Sequence, residues 1–267
     1  AAAFIDEANV RRAGGLPPGH PAMTSFLGIP LEAGGRLVAM VGLANQPGAG
    51  PLPVAAVSHE LPEFSRYGEI DIQPMSNIRA RIAENMARAW TQVAHVTQFD
   101  KCDVTDVEAF RQAHKARVES AGGKLTLTAI VVKVVAAALR ALPQFNASVD
   151  AGHKRIVLKK YVNIGVAVDT PNGLMVPVLR DVDKKGIVQL AKELGEVSAR
   201  ARDLKITAAD MQGGCFTISS LGGIGGTAFT PIINAPEVAV LGVSRSRMQP
   251  LWDGSGFKPR LMLPLSL

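Results

Sequence analysis

Cysteine is nearly absent: Cys102 and Cys215 are the only two in 267 residues. They lie far apart and fit no metal-ligand spacing, which excludes a disulfide framework and makes a zinc site improbable. A reducing, cytoplasmic setting is expected. Charge is also sparse, at 19% against 47% hydrophobic residues, and this balance excludes a chain disordered throughout. The longest apolar stretch, Leu125 to Leu142, is broken by Lys133 and Arg140. A membrane helix needs about 20 nearly uninterrupted apolar residues, so no span is expected. The opening AAAFIDEANVRR has no basic segment leading into an apolar one, so no secretory signal is expected either.

What is present is a basic chain of globular composition. The formal net charge is +6, yet residues 1 to 60 carry three basic groups (Arg11, Arg12, Arg36) against four acidic ones (Asp6, Glu7, Glu32, Glu60). The excess therefore lies beyond residue 60, and it is scattered rather than gathered in blocks. A solvated surface is favoured over a nucleic-acid partner. The run Gly48 to Val57, GAGPLPVAAV, reads as a short, semi-stiff linker with a boundary near residue 60. Ahead of it, two apolar runs, Ser25 to Leu31 and Arg36 to Leu43, flank Ala33-Gly34-Gly35 and suggest a hairpin. A unit of this size is too small for a convincing core of its own.

Beyond the linker the periodicity predicts helices and then strands. Ser76 can cap a helix with Ile78, Ile82, Met86 and Trp90 on one face. An extended stretch over Val96 to Val104 leads to a capping box formed by Thr105 and Glu108, and to a helix ending before Gly122-Gly123. Thr126 to Leu142 is too long for a strand and reads as a buried helix stopped by Pro143. Short β-branched runs follow at Ile156 to Leu158 and Tyr161 to Asp169, and Pro171-Asn172-Gly173 turns the chain into Leu174 to Leu179. Gly186 to Arg202 carries Ile187, Leu190, Ala191, Leu194, Val197 and Ala201 at helical spacing, and strands resume at Gly214 to Ser219, Val238 to Ser244 and Leu261 to Leu265. The expected class is α+β, with helices packed on one face of a mixed sheet.

Candidate chemistry is thin on spacing alone. None of the five histidines pairs locally with Asp or Cys; His95, entering a strand in WTQVAHVTQFD, could be a base but is better read as a structural imidazole. Gly222, Gly223, Gly225 and Gly226 surround Ile224 in a dense loop. A phosphate loop would need a helix after it, and Thr227-Ala228-Phe229-Thr230-Pro231 cannot start one. A tight loop permitting close backbone approach is preferred. It directly follows FTISS, Phe216 to Ser220, where a strand-end hydroxyl is placed to donate to a developing oxyanion.

Several long runs carry a resemblance: FSRYGEIDIQPMSNIRARIAENMARAW, HVTQFDKCDVTDVEAFR, VNIGVAVDTPNGLMVPVLRDVDKKGI, MQGGCFTISSLGGIGGTAFTPIINAPEVAVLGVSRS and RLMLPLSL. In this order, over residues 62 to 267, they resemble the catalytic core of dihydrolipoyl acyltransferases, most closely the acetyl-transferring members from bacterial pyruvate dehydrogenase complexes. The resemblance implies a mixed sheet flanked by helices, similar to chloramphenicol acetyltransferase. It implies acetyl transfer between a dihydrolipoyl thiol, carried by a lipoyl domain outside this chain, and coenzyme A, without a metal. It also implies trimers, a larger shell, and partners among the other components of the 2-oxo-acid dehydrogenase complex. The family's oxyanion serine falls at Ser219, while Asn172 and the glycines 222, 223, 225 and 226 become candidates for lining the substrate channel. In the family the base is the histidine of a His-x-x-x-Asp-Gly motif that would follow LMLPLSL, and active sites lie between subunits, with histidine from one and serine from the next. The sequence stops at Leu267. The expectation is therefore that the last strand and carboxy-terminal helix of the family are missing, and that transfer by this chain is abolished or reduced ~10²–10⁴-fold, the scale of general-base catalysis.

Leu16 to Asn45 is similar to part of a GAF domain, which divides the chain into a partial GAF-like segment over 1–47, a Pro/Ala/Gly linker over 48–61 and the acyltransferase core over 62–267. Two other classes stay open beside the enzyme: a catalytically silent assembly fragment and, resting on residues 16–45 alone, a ligand-binding sensor fragment.

Overall fold

A computed structural model of the chain describes residues 61–267 in full and, ahead of them, only the backbone of three strands. Two compact units result, Ala1–Pro74 and Met75–Leu267. In the first, β1 (Ala3–Ile5), β2 (Ser25–Ala33) and β3 (Arg36–Asn45) form an antiparallel sheet in the order β1-β2-β3. The hairpin expected from the two apolar runs is present, closed at Ala33 opposite Arg36. The rest of the GAF-like segment, and the linker apart from Leu61, lie outside the described residues.

The second unit opens with α1 (Asn77–Gln92), whose first turn is held as predicted: the Ser76 hydroxyl accepts from the Arg79 amide. Its apolar stripe behaves differently from a core face, because Ile78 and Trp90 remain exposed and Ala89 is the helix's one buried residue. After β4 (Phe99–Asp103), α2 (Thr105–Ser120) begins without the predicted capping box. Asp103 supplants it, its Oδ1 accepting from both the amide and the hydroxyl of Thr105. Thr105 Oγ1 instead accepts from the Leu261 amide, and Glu108 turns to Arg111 and Gln112. Tertiary pairing has taken the hydroxyl that the local motif reserved for the cap. The far end of α2 stops at the expected glycines, with the amides of Gly122 and Gly123 donating to the carbonyls of Glu119 and Val118.

The buried helix α3 (Leu127–Ala141) is capped by Thr126, whose hydroxyl accepts from the Ala129 amide. It sinks Ala129, Val132, Val135, Ala136 and Leu139 into the core. Lys133, the charge that interrupted the apolar run, donates to the carbonyls of Val182, Asp183 and Lys185 at 3.4, 3.0 and 2.7 Å. This satisfies the three donors of a half-sheltered ammonium and pins α3 to the turn before α4 (Ile187–Arg202). The amphipathic reading of α4 holds, with Leu190, Ala191, Leu194, Val197 and Ala201 buried.

The run from Tyr161 to Asp169 is two strands rather than one: β7 (Ile164–Val166) and β8 (Val168–Thr170) part at Ala167, whose amide donates to Ile218. β8 pairs with β9 (Gly173–Met175) through the predicted turn, while β10 (Val178–Leu179) pairs back on β7. In this unit two strands escaped the sequence reading, β5 (Ala147–Asp150), paired with β6 (Arg155–Leu158), and β13 (Arg247–Trp252). With β11 (Phe216–Ser220), β12 (Val240–Val243) and β14 (Phe257–Ser266), the main sheet runs β10-β7-β11-β12-β14-β13, and β4 pairs with β14. β7, β11 and β12 are parallel neighbours and the remaining pairings are antiparallel, so the α+β mixed sheet flanked by helices is observed.

One face of this sheet builds the core with α2, α3 and α4. Leu190 is wholly buried within it. Leu190→Ala is expected to cost ~2–5 kcal/mol, seen as a lowered urea midpoint with an unchanged denaturant slope.

Candidate active site

Alternation along β11 sends its side chains to opposite faces. Phe216 and Ile218 enter the core, their partners Ile164 and Val166 on β7 do the same, and Leu241, the partner of Ile218 on β12, packs against it. Directly paired residues share a face, so the register puts Gly165, Thr217, Ser219, Gly242 and Ser266 on the other side. Val178 beside Gly165, Val240 beside Thr217 and Phe99 beside Ser266 share that side, but β11 itself contributes only Thr217 and Ser219 to it. One face of the same strand is packing and the other is small and polar.

Ser219 stands half-buried in this polar row, and among the described residues its hydroxyl has no hydrogen-bond partner. A donor at a strand end with no internal acceptor is free for an outside oxygen. Directly after β11 the chain turns, with the amides of Ile224 and Gly225 both donating to the Leu221 carbonyl. The reason for glycine here differs from the one expected. Added Cβ atoms at positions 223, 225 and 226 would meet nothing within 4 Å, and at position 222 only ordinary contacts. The requirement is conformational instead: Gly225 and Gly226 have φ of +124° and +86°. No helix follows, and the phosphate-loop alternative has no structural counterpart.

Asn172 lies half-buried in the β8–β9 turn, closed by the Thr170 hydroxyl donating to the Gly173 carbonyl at 2.5 Å. This turn belongs to a separate two-stranded ribbon, β8-β9, while the glycine loop follows the carboxy end of β11 that carries Ser219. The glycine loop directly follows Ser219, whereas no hydrogen bond joins Asn172 to Ser219 among the described residues.

The segment returning from the glycine loop is tied down twice. A Cβ at Gly242 would sit 2.8 Å from the Phe229 ring, so the missing side chain opposite Ser219 is the notch that seats Phe229. Farther on, the Ile233 amide donates to His95 Nε2 at 3.0 Å, while His95 Nδ1 lies 2.8 Å from the Val93 carbonyl. Those partners fix a neutral imidazole with its proton on Nδ1 and both nitrogens engaged. His95 is a structural imidazole. Of the other described histidines, His114 stacks on Phe110 and His153 pairs with Asp150. Cys215 is no nucleophile either: it is fully buried, burial pushes its thiol up, and its Sγ faces the Tyr161 carbonyl. No group of three or more potential metal ligands gathers among the described residues, and none of their helices is long and apolar enough to cross a membrane.

Glu237 escaped the sequence reading. Its signal was there, a lone acid in the apolar run NAPEVAVLGV. It is only 4% exposed, beside Thr217 on the polar face, and burial pushes its carboxyl up to about 7 against the opposing pull of Thr217, Lys159 and Asn234.

Residues 67–267 match the family of 2-oxoacid dehydrogenases acyltransferase (catalytic domain). The chain belongs to this family. It is 55% identical over 228 residues to the dihydrolipoyllysine-residue acetyltransferase component of the pyruvate dehydrogenase complex of Haemophilus influenzae, covering 85% of this chain and 39% of that protein. The Azotobacter vinelandii counterpart is 56% identical over 205 residues, 77% of this chain and 32% of that one. The acyltransferase chain thus spans well under half the length of these relatives. Among solved structures, one concerning the role of a serine, a histidine and an asparagine in the catalytic mechanism of Azotobacter vinelandii dihydrolipoamide acetyltransferase superposes with a TM-score of 0.75 at 56% identity, over 76% of this chain and 84% of the other. The cubic core of the pyruvate dehydrogenase multienzyme complex gives the same TM-score at 55% identity, with the same coverage of 76% and 84%.

The raised carboxyl of Glu237 makes stability depend on pH in a definite sense. Between about 4.5, where the unfolded group ionises, and about 7, the folded chain holds a proton that the unfolded chain has lost. Stability therefore falls as pH rises through this window, by on the order of 3 kcal/mol. Glu237→Gln is expected to remove that slope. Urea unfolding at pH 4.5 and pH 8 checks it through the change in the difference between wild type and variant.

Proposed function

We propose that the chain is the acyl-transfer core of a dihydrolipoyl acetyltransferase of a pyruvate dehydrogenase complex, moving acetyl between a dihydrolipoyl thiol and coenzyme A. The observation that carries this reading is the unpartnered Ser219 hydroxyl on the small, polar face of β11, in a chain of the acyltransferase family. In acetyl transfer from coenzyme A, the dihydrolipoyl thiol loses its proton to a base and its sulfur attacks the thioester carbonyl. Negative charge gathers on the carbonyl oxygen, and the Ser219 Oγ–H donates to it. The oxyanion then collapses, the bond to the coenzyme A sulfur breaks, and the departing thiolate takes the proton back. The lipoyl group, borne on a separate domain, supplies the dithiol that accepts the acetyl group.

Among the described histidines, those at 95, 114 and 153 have the engagements given above, and none supplies the base in this reading. The base in this reading is the histidine of the family's His-x-x-x-Asp-Gly motif, which would follow Leu267 in a longer chain and reach the site from a neighbouring subunit; the 267 residues themselves do not carry it, in keeping with the serine and histidine under study in the Azotobacter enzyme. Trimers joined into a larger shell, working with lipoyl domains and the other components of the complex in the cytoplasm, are the corresponding partners and setting. Asn172 and the glycines 222, 223, 225 and 226 are the candidates for lining the approach to Ser219, the glycines because their loop directly follows its strand.

Ser219→Ala in the full-length protein is expected to lower kcat by ~10²–10³ with KM for acetyl coenzyme A changed only a few-fold. Acetyl transfer to dihydrolipoamide is the assay, and an unchanged kcat would remove the oxyanion role.

A further inference from the structure

Three polar atoms on the functional face of the sheet are buried and unpaired: Thr217 Oγ1, Glu237 Oε2 and Ser266 Oγ. Two of them face each other. Thr217 and Glu237 are each 4% exposed, and the Thr217 hydroxyl and Asn234 side chain lie close enough to favour the charged carboxylate without pairing Oε2. The site around them is shaped by missing side chains. A Cβ at Gly214 would come within 2.9 Å of Glu237 Oε1, and one at Gly165 within 3.1 Å of Thr217 Oγ1. The turn that presents Glu237 is itself held, by the Ser148 hydroxyl donating to the Pro236 carbonyl at 2.6 Å and the Glu237 amide donating to Asn234. Thr217 precedes Ser219 by two residues and shares its face.

We propose that Glu237, acting through Thr217, is a positioning residue for Ser219. The inference rests on the reading of Ser219 as the oxyanion donor. A buried acid is costly to keep without a partner, and its retention against a glycine-walled strand, beside an equally orphaned hydroxyl, calls for a role. The role is to hold one polar face of β11 in a single arrangement. A small rotation that let the Thr217 hydroxyl donate to the Glu237 carboxyl would keep it from turning toward the substrate side and leave the Ser219 hydroxyl as the donor offered there. The ionisable and polar groups around Glu237 are the Lys159 ammonium, which also donates to the Ala147 carbonyl, the Cys215 thiol, Asn234 and Thr217. Thr217 and Asn234 both favour the charged carboxylate, so the arrangement tightens as Glu237 loses its proton near neutrality.

The test is a double-mutant cycle in the full-length protein, read as kcat and KM for acetyl transfer from acetyl coenzyme A to dihydrolipoamide between pH 6 and pH 9, with circular dichroism to confirm folding. Glu237→Ala and Thr217→Val are expected to lower kcat about tenfold with KM little changed, and Glu237→Gln and Thr217→Ser to restore it. Glu237→Gln should also flatten the rise in kcat as pH passes through neutrality. In a Ser219→Ala background the first two substitutions should have little further effect, because the hydroxyl they position is gone. Folded Glu237→Ala and Thr217→Val proteins with wild-type kcat would overturn the proposal, as would equal losses with and without Ser219, which mark a merely structural role. A Ser219→Ala protein with undiminished kcat would bring down the oxyanion reading itself, a result distinct from either.

Discussion

Strand β11 has to satisfy two environments at once. It lies between parallel neighbours, β7 and β12, so its backbone hydrogen bonds are satisfied on both edges and its register is fixed twice over. Within that fixed register Phe216 and Ile218 are committed to the core, and a slip of one residue would push Ser219 into hydrocarbon and Ile218 out of it. The depth of the core therefore sets the position of the reactive-face hydroxyl. Helices α2, α3 and α4 contribute to the site only indirectly, by filling the side of the sheet that must stay dry.

The polar face is finished by a connection rather than by a helix. Between β11 and β12 the chain leaves through two glycines in left-handed conformation, seats Phe229 over Gly242, offers the Ile233 amide to His95, and delivers Glu237 beneath Thr217. Each anchor uses a residue whose chemistry is otherwise unexplained: a glycine inside a strand, a histidine of fixed tautomer, a buried acid.

Much of this was legible in the sequence. Helical periodicity located α1, α3 and α4 to within a residue or two, and Ser76 and Thr126 act as caps where they were expected. The alternation in FTISS carried the two-faced character of β11, and Ser219 was found through the family resemblance on that motif. The failures have physical causes. The box at Thr105 was read as local, but a strand far along the chain claims its hydroxyl. β13 contains Pro250 and places Met248, Leu251 and Trp252 in exposed positions, so neither composition nor alternation singled it out. Glu237 was passed over because burial of a carboxyl is a property of the assembled face, written in Gly165, Gly214 and Thr217 as much as in the acid itself.

The contact between Thr105 and Leu261 joins residues 156 positions apart, and β14 pairs with β4 along the same seam. Such closure makes the order of events in folding matter. A chain emerging from the ribosome presents β4, α2 and α3 long before β14 exists to cover them, and non-local pairing of this kind is entropically slow to form. Until it forms, β12 has one bare edge beside the strand that carries Ser219. Pairing of β14 thus closes the open edge of β12 beside the strand that carries Ser219.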